Sequence, residues 1–186
     1  MIRRQLLKIV FGSLLCTSGP AAATTIYGTG GYYSIQAETS TGKQTIANFG
    51  HYRFIYDIEI GQHLLFRPSY SIYTLMGQGD IELGYGIDLE FAYLPFSLNR
   101  GLSYGTPDFN WASYEIVRPY LGFSFHQRQY QSIQSSYAGL GLSIGSIYQY
   151  SKTLSILTYM TVMYLSGPLS STIREQQLAV GIGMTI

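Results

Sequence analysis

A histidine and a nearby serine are the residues of this chain with the clearest potential for proton-transfer chemistry. Ser124 lies two positions before His126. A base beside a hydroxyl, oriented by a carboxylate such as Glu82 or Glu175, is the arrangement that activates a serine nucleophile. If these residues belong to a strand, Ser124 and His126 share a face but stand about 7 Å apart. We therefore expect no direct hydrogen bond between them and no catalytic residues.

Metal and cofactor chemistry finds little support in the residue types present. The other histidines are His51 and His63, which are far apart in the sequence, and the one cysteine is Cys16. A structural zinc site needs four clustered nitrogen or sulfur ligands. The glycines are scattered, and no Gly-Lys-Ser/Thr phosphate loop occurs. We expect no metal site and no cofactor.

The composition excludes several classes of protein. Charged residues make up 11% of the 186 residues, against about 25% in ordinary soluble domains. The 18 tyrosines and 21 glycines do not suit a helical protein, and aromatic residues at 15% do not suit a disordered one. A net charge of +1 without a basic run disfavours nucleic-acid binding.

Residues 1–23 are typical of a secretory signal peptide. Arg3, Arg4 and Lys8 precede an apolar run, and Ala21-Ala22-Ala23 supplies a cleavage site. The run is too short for a membrane-spanning helix, which needs about 20 apolar residues. Acylation of Cys16 is the alternative, although Leu15 before it is larger than that chemistry usually has. We predict a signal peptide over 1–23 and one domain over 24–186.

Alternation of apolar and polar residues with period two predicts strands along the rest of the chain. The segment 80–94 is the clearest, and the segment 154–166 is apolar on both faces. Each segment exceeds the usual soluble strand of about 5–6 residues and suffices to cross a bilayer when tilted. The predicted strands are 25–37, 47–60, 64–76, 80–94, 113–128, 136–150, 154–166 and 172–186. We predict an all-β, eight-stranded antiparallel up-and-down transmembrane barrel, because closure leaves no unpaired edge.

The links between the strands should differ at the two ends of such a barrel. Short turns at 61–63 and 151–153 suit the periplasmic end, where the 17 residues of 95–111 are an insertion. That insertion is a folded turn with strand extensions, a cap over the periplasmic mouth of the barrel, or a partner site. External links are predicted at 38–46, 77–79, 129–135 and 167–171. Tyrosines near strand ends are candidates for an interfacial girdle: Tyr27, Tyr73, Tyr93, Tyr148 and Tyr164.

Three stretches resemble the outer membrane protein β-barrel domain family, the small OmpA- and Opa-like eight-stranded barrels. They are Arg118–Phe125, which is similar to a Pro-Tyr-x-Gly-x-Gly strand start, the Gly-rich Tyr137–Ser143, and the closing strand Leu178–Ile186. The resemblance implies barrel architecture over 25–186 and assembly by periplasmic chaperones and the barrel-assembly machinery. The chain departs from the family at Phe125, where a glycine is usual, at the final Ile186, where an aromatic is usual, and in the insertion 95–111.

The last strands also resemble lipid A 3-O-deacylases, which use a His-x-Ser pair on a late strand. The matching stretch is Met163-Tyr164-Leu165-Ser166, with Met163 at the histidine position and Leu165 at the serine position. Because that motif is absent, the activity is not carried over.

Strand alternation places nearly all the charged residues of the predicted strands inside the barrel. An eight-stranded barrel is just wide enough for side chains to fill it, and buried charges must be paired. We predict a salt-bridged polar plug, with a gated proton or ion path as the alternative. The predicted network is Arg53, Asp57, Glu59, Arg67, Glu82, Asp88, Glu90, Arg118, Arg128 and Glu175.

These observations predict a non-enzymatic, integral protein of the Gram-negative outer membrane, with a structural or surface-exposed role. Outer-membrane lipids and lipopolysaccharide would surround it. Two alternatives stay open. One is a membrane-embedded lipid hydrolase or acyltransferase, which would bring a hydroxyl, a histidine and a carboxylate within about 3.2 Å of one another. The other is a soluble periplasmic barrel for a small apolar ligand, which would have its carboxylates on the outside.

Overall fold

Ten strands make up the described part of the chain in the computed structural model. It describes residues 24–39, 42–60, 63–76, 81–95, 104–106, 109–111, 116–130, 135–151, 153–168 and 171–186. The predicted signal peptide at 1–23 lies outside these residues. The strands are β1 Thr24–Thr39, β2 Gly42–Glu59, β3 Leu64–Met76, β4 Ile81–Tyr93, β5 Tyr104–Thr106, β6 Phe109–Trp111, β7 Ile116–Tyr130, β8 Ser135–Gln149, β9 Leu154–Ser166 and β10 Thr172–Thr185.

The eight long strands close into one barrel in the order β1-β10-β9-β8-β7-β4-β3-β2. Every neighbouring pair is antiparallel, and β1 closes the ring by pairing with β10, Thr25 opposite Thr185. The predicted all-β, eight-stranded antiparallel barrel is thereby confirmed. The predicted link 38–46 is wrong: β1 and β2 continue to the pair Thr39 and Gly42. Here backbone pairing extends through polar residues that carry no alternation signal.

The insertion 95–111 contains a small hairpin, with β5 and β6 paired from Tyr104–Trp111 to Thr106–Phe109. Its remaining residues beyond Pro95 lie outside the described part of the chain. Among the described residues, no helix has the length and apolar character needed to cross a membrane.

The alternation of the long strands separates an apolar exterior from an interior that mixes apolar and polar side chains. On β9 buried positions alternate with exposed or half-buried ones along the whole strand. Large apolar side chains on the exterior are exposed, Leu142 by 66% and Ile182 by 65%. In contrast, Asp88 and Glu90 are buried. This distribution of apolar and charged side chains is the reverse of that in a water-soluble barrel. It also shows which face of β9 points inward, although the sequence of β9 is apolar on both faces.

The interior has three layers along the barrel axis. One apolar cluster contains Tyr27, Leu157 and Tyr159, and a second contains Tyr33, Tyr73 and Met163. The buried charged side chains lie on the same inward faces, at strand positions between the two clusters, except for Asp57, which follows Ile55 of the first cluster toward the termini. The girdle prediction is wrong for Tyr27 and Tyr73, which are 2% and 0% exposed inside the barrel. Both residues lie near strand ends, as the sequence predicts, but strand parity turns their rings inward.

A bulge at Gly50 breaks the regular pairing of β2 with β1. His51 faces Gly31 while Phe49 faces Tyr32, so Gly50 has no partner in the register. Gly50 has a φ of 155°, a conformation that favours glycine. The bulge changes which face the following residues of β2 present, and it sends His51 and Arg53 inward.

Candidate functional site

The candidate site is the charged layer in the middle of the barrel. Its side chains come from inward positions of β2, β3, β4, β7 and β10, which barrel closure brings together. The strand register sets some neighbours directly: Arg67 lies opposite Glu90, and Asp88 lies opposite His126. Its members are Arg53, Asp57, Arg67, Asp88, Glu90, His126, Arg128 and Glu175.

Asp88 is the hub of this layer. Its carboxylate accepts a hydrogen bond from Ser71 Oγ at 2.7 Å and lies 3.2 Å from Arg53 Nε. Its other oxygen pairs with the Arg128 guanidinium and lies 2.6 Å from His126 Nδ1. Asp88 has no exposed surface, so these contacts replace its hydration.

The remaining carboxylates are each tied to an arginine. Asp57 Oδ1 lies 2.9 Å from Arg67 Nε, and Glu175 Oε2 lies 3.3 Å from Arg128 Nε. Glu90 Oε2 accepts a hydrogen bond from Arg53 Nη2 at 3.2 Å. Paired charges of this kind avoid the penalty of several kcal/mol for an isolated buried ion.

Each buried arginine also contacts a tyrosine ring. The guanidinium carbons of Arg53, Arg67 and Arg128 lie 5.4, 4.1 and 5.1 Å from the ring centroids of Tyr159, Tyr120 and Tyr73, respectively. Cation–π contacts at these distances are attractive, more so when desolvated. The tyrosines therefore both fill the barrel and bind its fixed positive charges.

The ten residues of the predicted network fall into three groups. Seven lie in the charged layer. Glu59 and Arg118 are half-buried at the end of the barrel that holds the termini, where Arg118 donates a hydrogen bond to Gln149 Oε1 at 2.7 Å. The side chain of Glu82 lies outside the described part. The seven are Arg53, Asp57, Arg67, Asp88, Glu90, Arg128 and Glu175.

Ser124 and His126 correct a sequence expectation. Their side chains approach within hydrogen-bond distance, with Ser124 Oγ 2.7 Å from His126 Nε2. The spacing of about 7 Å holds for the backbone, but the imidazole reaches along the strand and closes the gap. The orienting carboxylate is Asp88 rather than Glu82 or Glu175, because the β4–β7 register places it opposite His126. Ser124, His126 and Asp88 thus form a chain of contacts with the connectivity of a serine–histidine–aspartate triad.

The other two histidines have separate surroundings. His51 is buried, and its ring stacks on that of Tyr73 at 4.8 Å. His63 is exposed, and its Nδ1 lies 2.9 Å from the Leu94 carbonyl oxygen. Within the described residues, no group of His, Cys, Asp and Glu side chains is placed to hold a metal ion.

Comparison with solved structures supports the barrel fold, whereas comparison of sequences finds no relative. No family model and no curated protein matches the sequence. The crystal structure of Neisserial surface protein A aligns with a TM-score of 0.58 at 17% identity, covering 87% of this chain and 96% of that one. The N-terminal β-barrel domain of Pseudomonas aeruginosa OprF aligns at 0.48 and 13% identity, over 87% and 97% of the two chains. Ail of Yersinia pestis, in complex with the heparin analogue sucrose octasulfate, aligns at 0.41 and 13% identity, over 87% and 99%.

Proposed function

We propose that this chain is a non-enzymatic, integral β-barrel protein of the Gram-negative outer membrane. The observation that carries the proposal is the inverted distribution of polarity: Leu142 and Ile182 are open on the exterior while Arg53, Arg67 and Asp88 are buried inside. In water such an exterior would favour aggregation. In a bilayer it is the surface expected of a lipid-facing barrel. The same distribution opposes a soluble ligand-binding barrel.

Within this proposal the interior is a plug and the role is structural or surface-exposed. Eight strands leave room only for side chains, and here tyrosine and apolar layers lie on either side of the ion pairs. The protein would be exported through its signal peptide and inserted by the barrel-assembly machinery. Its neighbours would be outer-membrane lipids and lipopolysaccharide, with no nucleic-acid partner.

Heat-modifiability tests the membrane assignment. The full chain is expressed in a Gram-negative host, outer membranes are isolated, and boiled and unboiled samples are compared by gel electrophoresis. We expect the membrane band to change its mobility on boiling, because a closed barrel resists detergent until it is heated. Recovery in the soluble periplasmic fraction without a shift would refute the proposal.

A serine hydrolase or acyltransferase is the second candidate, favoured by the Ser124–His126–Asp88 contacts. In that reaction Ser124 Oγ would attack an ester carbonyl carbon, its proton would pass to His126 Nε2, and that proton would leave with the alcohol. Water would then release the acyl group and restore the serine. However, Ser124 is 1% exposed, and Asp88 is shared with two arginines. These features suit a structural hydrogen-bond network better.

Labelling with a fluorophosphonate separates the two candidates. The folded barrel, checked by its heat shift, is incubated with the probe beside the variants Ser124→Ala and Ser143→Ala. We expect no labelling of the wild type. Labelling that Ser124→Ala abolishes and Ser143→Ala retains would replace the non-enzymatic proposal with the hydrolase.

A further inference from the structure

A groove of about 290 Å³ lies on the outer surface of the barrel, at the end opposite the chain termini. It runs across the exterior of β1, β9 and β10, where these strands approach their connecting links. The residues that line it are Gln36, Glu38, Tyr164, Leu165, Ser166, Thr172, Ile173 and Arg174.

The strand register arranges the outward residues of the groove in two rows. Arg174 lies between Gln36 on β1 and Tyr164 on β9. The next row, nearer the links, holds Glu38, Thr172 and Ser166. The Arg174 guanidinium carbon lies 5.8 Å from the centroid of the Tyr164 ring. The first row therefore presents a cation, an aromatic ring and an amide side by side.

Arg174 differs from the other arginine and lysine side chains that the structure describes. Those four are buried or half-buried on inward faces, whereas Arg174 is exposed on the exterior. They are Arg53, Arg67, Arg118 and Arg128. Arg174 is thus the one outward cation among the described side chains, and at the end of an apolar surface it needs a counter-charge or water.

The position of Arg174 along the barrel identifies its surroundings in a membrane. The exterior of β9 is apolar or uncharged from Leu154 to Tyr164, ten residues apart. That spacing is about 33 Å along a strand, or about 25 Å across the bilayer at a tilt near 40°. The apolar band of outer-membrane barrels has about this height. Arg174 and Tyr164 therefore lie at the edge of the band farthest from the termini, at the depth of lipid headgroups.

We propose that the groove binds the phosphate of an anionic membrane lipid through Arg174, Gln36 and Tyr164. A guanidinium pairs with phosphate in a bidentate manner, the Gln36 amide can donate a further hydrogen bond, and Tyr164 suits the interface. The acyl chains would lie along the apolar exterior below, beside Leu178. The proposal rests on membrane insertion of the barrel.

Glu38 allows the charge of the bound headgroup to be tested. Its carboxylate lines the same groove one row farther from the apolar band, so it opposes a bound phosphate but would assist a cationic headgroup. Removing the charge of Glu38 should therefore strengthen phosphate binding, and removing the charge of Arg174 should weaken it.

Native mass spectrometry of the detergent-solubilised, folded barrel tests this proposal. The probes are phosphatidic acid and diacylglycerol with the same acyl chains, with inorganic phosphate as competitor. We expect wild type to retain phosphatidic acid in preference to diacylglycerol, and Arg174→Gln to weaken that binding by at least about tenfold, as for the loss of one charge-assisted hydrogen bond. Glu38→Gln should strengthen it. Arg118→Gln, which removes an equal charge at the opposite end, should leave it unchanged.

The heat shift of every variant separates lipid binding from barrel insertion. If wild type shows no heat shift, the proposed function fails, whatever the lipid result. If all variants shift but Arg174→Gln binds phosphatidic acid as wild type does, the lipid site is refuted. Displacement of the lipid by an equimolar amount of inorganic phosphate would also refute it, because the groove would then recognise only a free anion.

Discussion

At the scale of single residues, Asp88 is the side chain on which the interior most depends. It contacts Arg53, Arg128, His126 and Ser71, and none of these groups is exposed to water beyond 1%. Removing one partner of a buried ion pair leaves the other charge uncompensated, which costs about 3–5 kcal/mol.

We therefore predict that Asp88→Asn lowers the free energy of unfolding of the folded barrel by about 3–5 kcal/mol. Urea titration in lipid vesicles, with the heat shift as readout, measures it. Glu59→Gln is the matched control, because Glu59 is half-buried at the rim and should cost under about 1 kcal/mol. Equal losses in the two variants would mean that Asp88 is not the hub described.

Residue parity was predictable from the sequence, but residue partners were not. Alternation predicts that Asp88 and His126 point inward, and both are buried. Their contact depends on the β4–β7 register, and the long connection between those strands leaves that register undetermined in the sequence. Backbone spacing predicts no contact between Ser124 and His126, and only the side-chain conformations reveal it.

At the scale of elements, the glycines of β8 make room for the close approach of neighbouring strands, and Gly141 does so for side chains. A Cβ added to Gly141 would lie 2.5 Å from His126 Nε2 and 3.0 Å from Met163 Cβ. A Cβ added to Gly28 on β1 meets nothing within 4 Å. The Gly-rich stretch that resembles a family motif therefore has a packing function in this barrel.

We predict that Gly141→Ala destabilises the barrel by about 1–3 kcal/mol, the usual cost of overpacking. Gly28→Ala should be neutral or slightly stabilising, because the folded strand accommodates the methyl group and the unfolded chain loses freedom. Thermal unfolding followed by the heat shift compares them. A destabilisation by Gly28→Ala as large as that by Gly141→Ala would indicate a general intolerance of alanine instead.

The long strands were predictable as elements because each one has two chemically different faces. The prediction failed where that contrast fades, at the polar β1–β2 end and at Tyr27 and Tyr73. Tyrosine suits both a lipid interface and a packed interior, so its type does not decide its side. For Tyr73, the even spacing from Arg67 on β3 decides the side. For Tyr27, the pairing of β1 with β2 decides it, because that register places Thr29 opposite Arg53.

At the scale of the whole molecule, the cost of placing a charge on the exterior distinguishes a barrel in a membrane from a barrel in water. Leu142 is central in β8 and 66% exposed, while Val117 lies near the end of β7 and is 60% exposed. In water, arginine at either position would cost little. In a bilayer, arginine at the midplane costs about 2–4 kcal/mol and near the interface about 0–1 kcal/mol.

We predict that Leu142→Arg lowers the stability of the vesicle-inserted barrel by about 2–4 kcal/mol and Val117→Arg by about 0–1 kcal/mol. Equilibrium unfolding from vesicles of one lipid composition measures both. The difference between the two variants is the quantity of interest, because both add the same charge to equally exposed sites. Equal small effects would argue that the barrel does not span the bilayer.

The filled interior should block the passage of ions through the barrel. The charged layer is fixed by its ion pairs, and Tyr73 lies over Arg128 with no exposed surface. We expect the folded barrel to give no stable single-channel steps in planar bilayers, because side chains and fixed charges occupy the path. The double variant Tyr73→Ala/Arg128→Ala removes two of the largest buried side chains and should raise ion leakage above wild type. A defined wild-type conductance that the double variant leaves unchanged would show that ions pass by a route other than this layer, and the interior would then not be the plug.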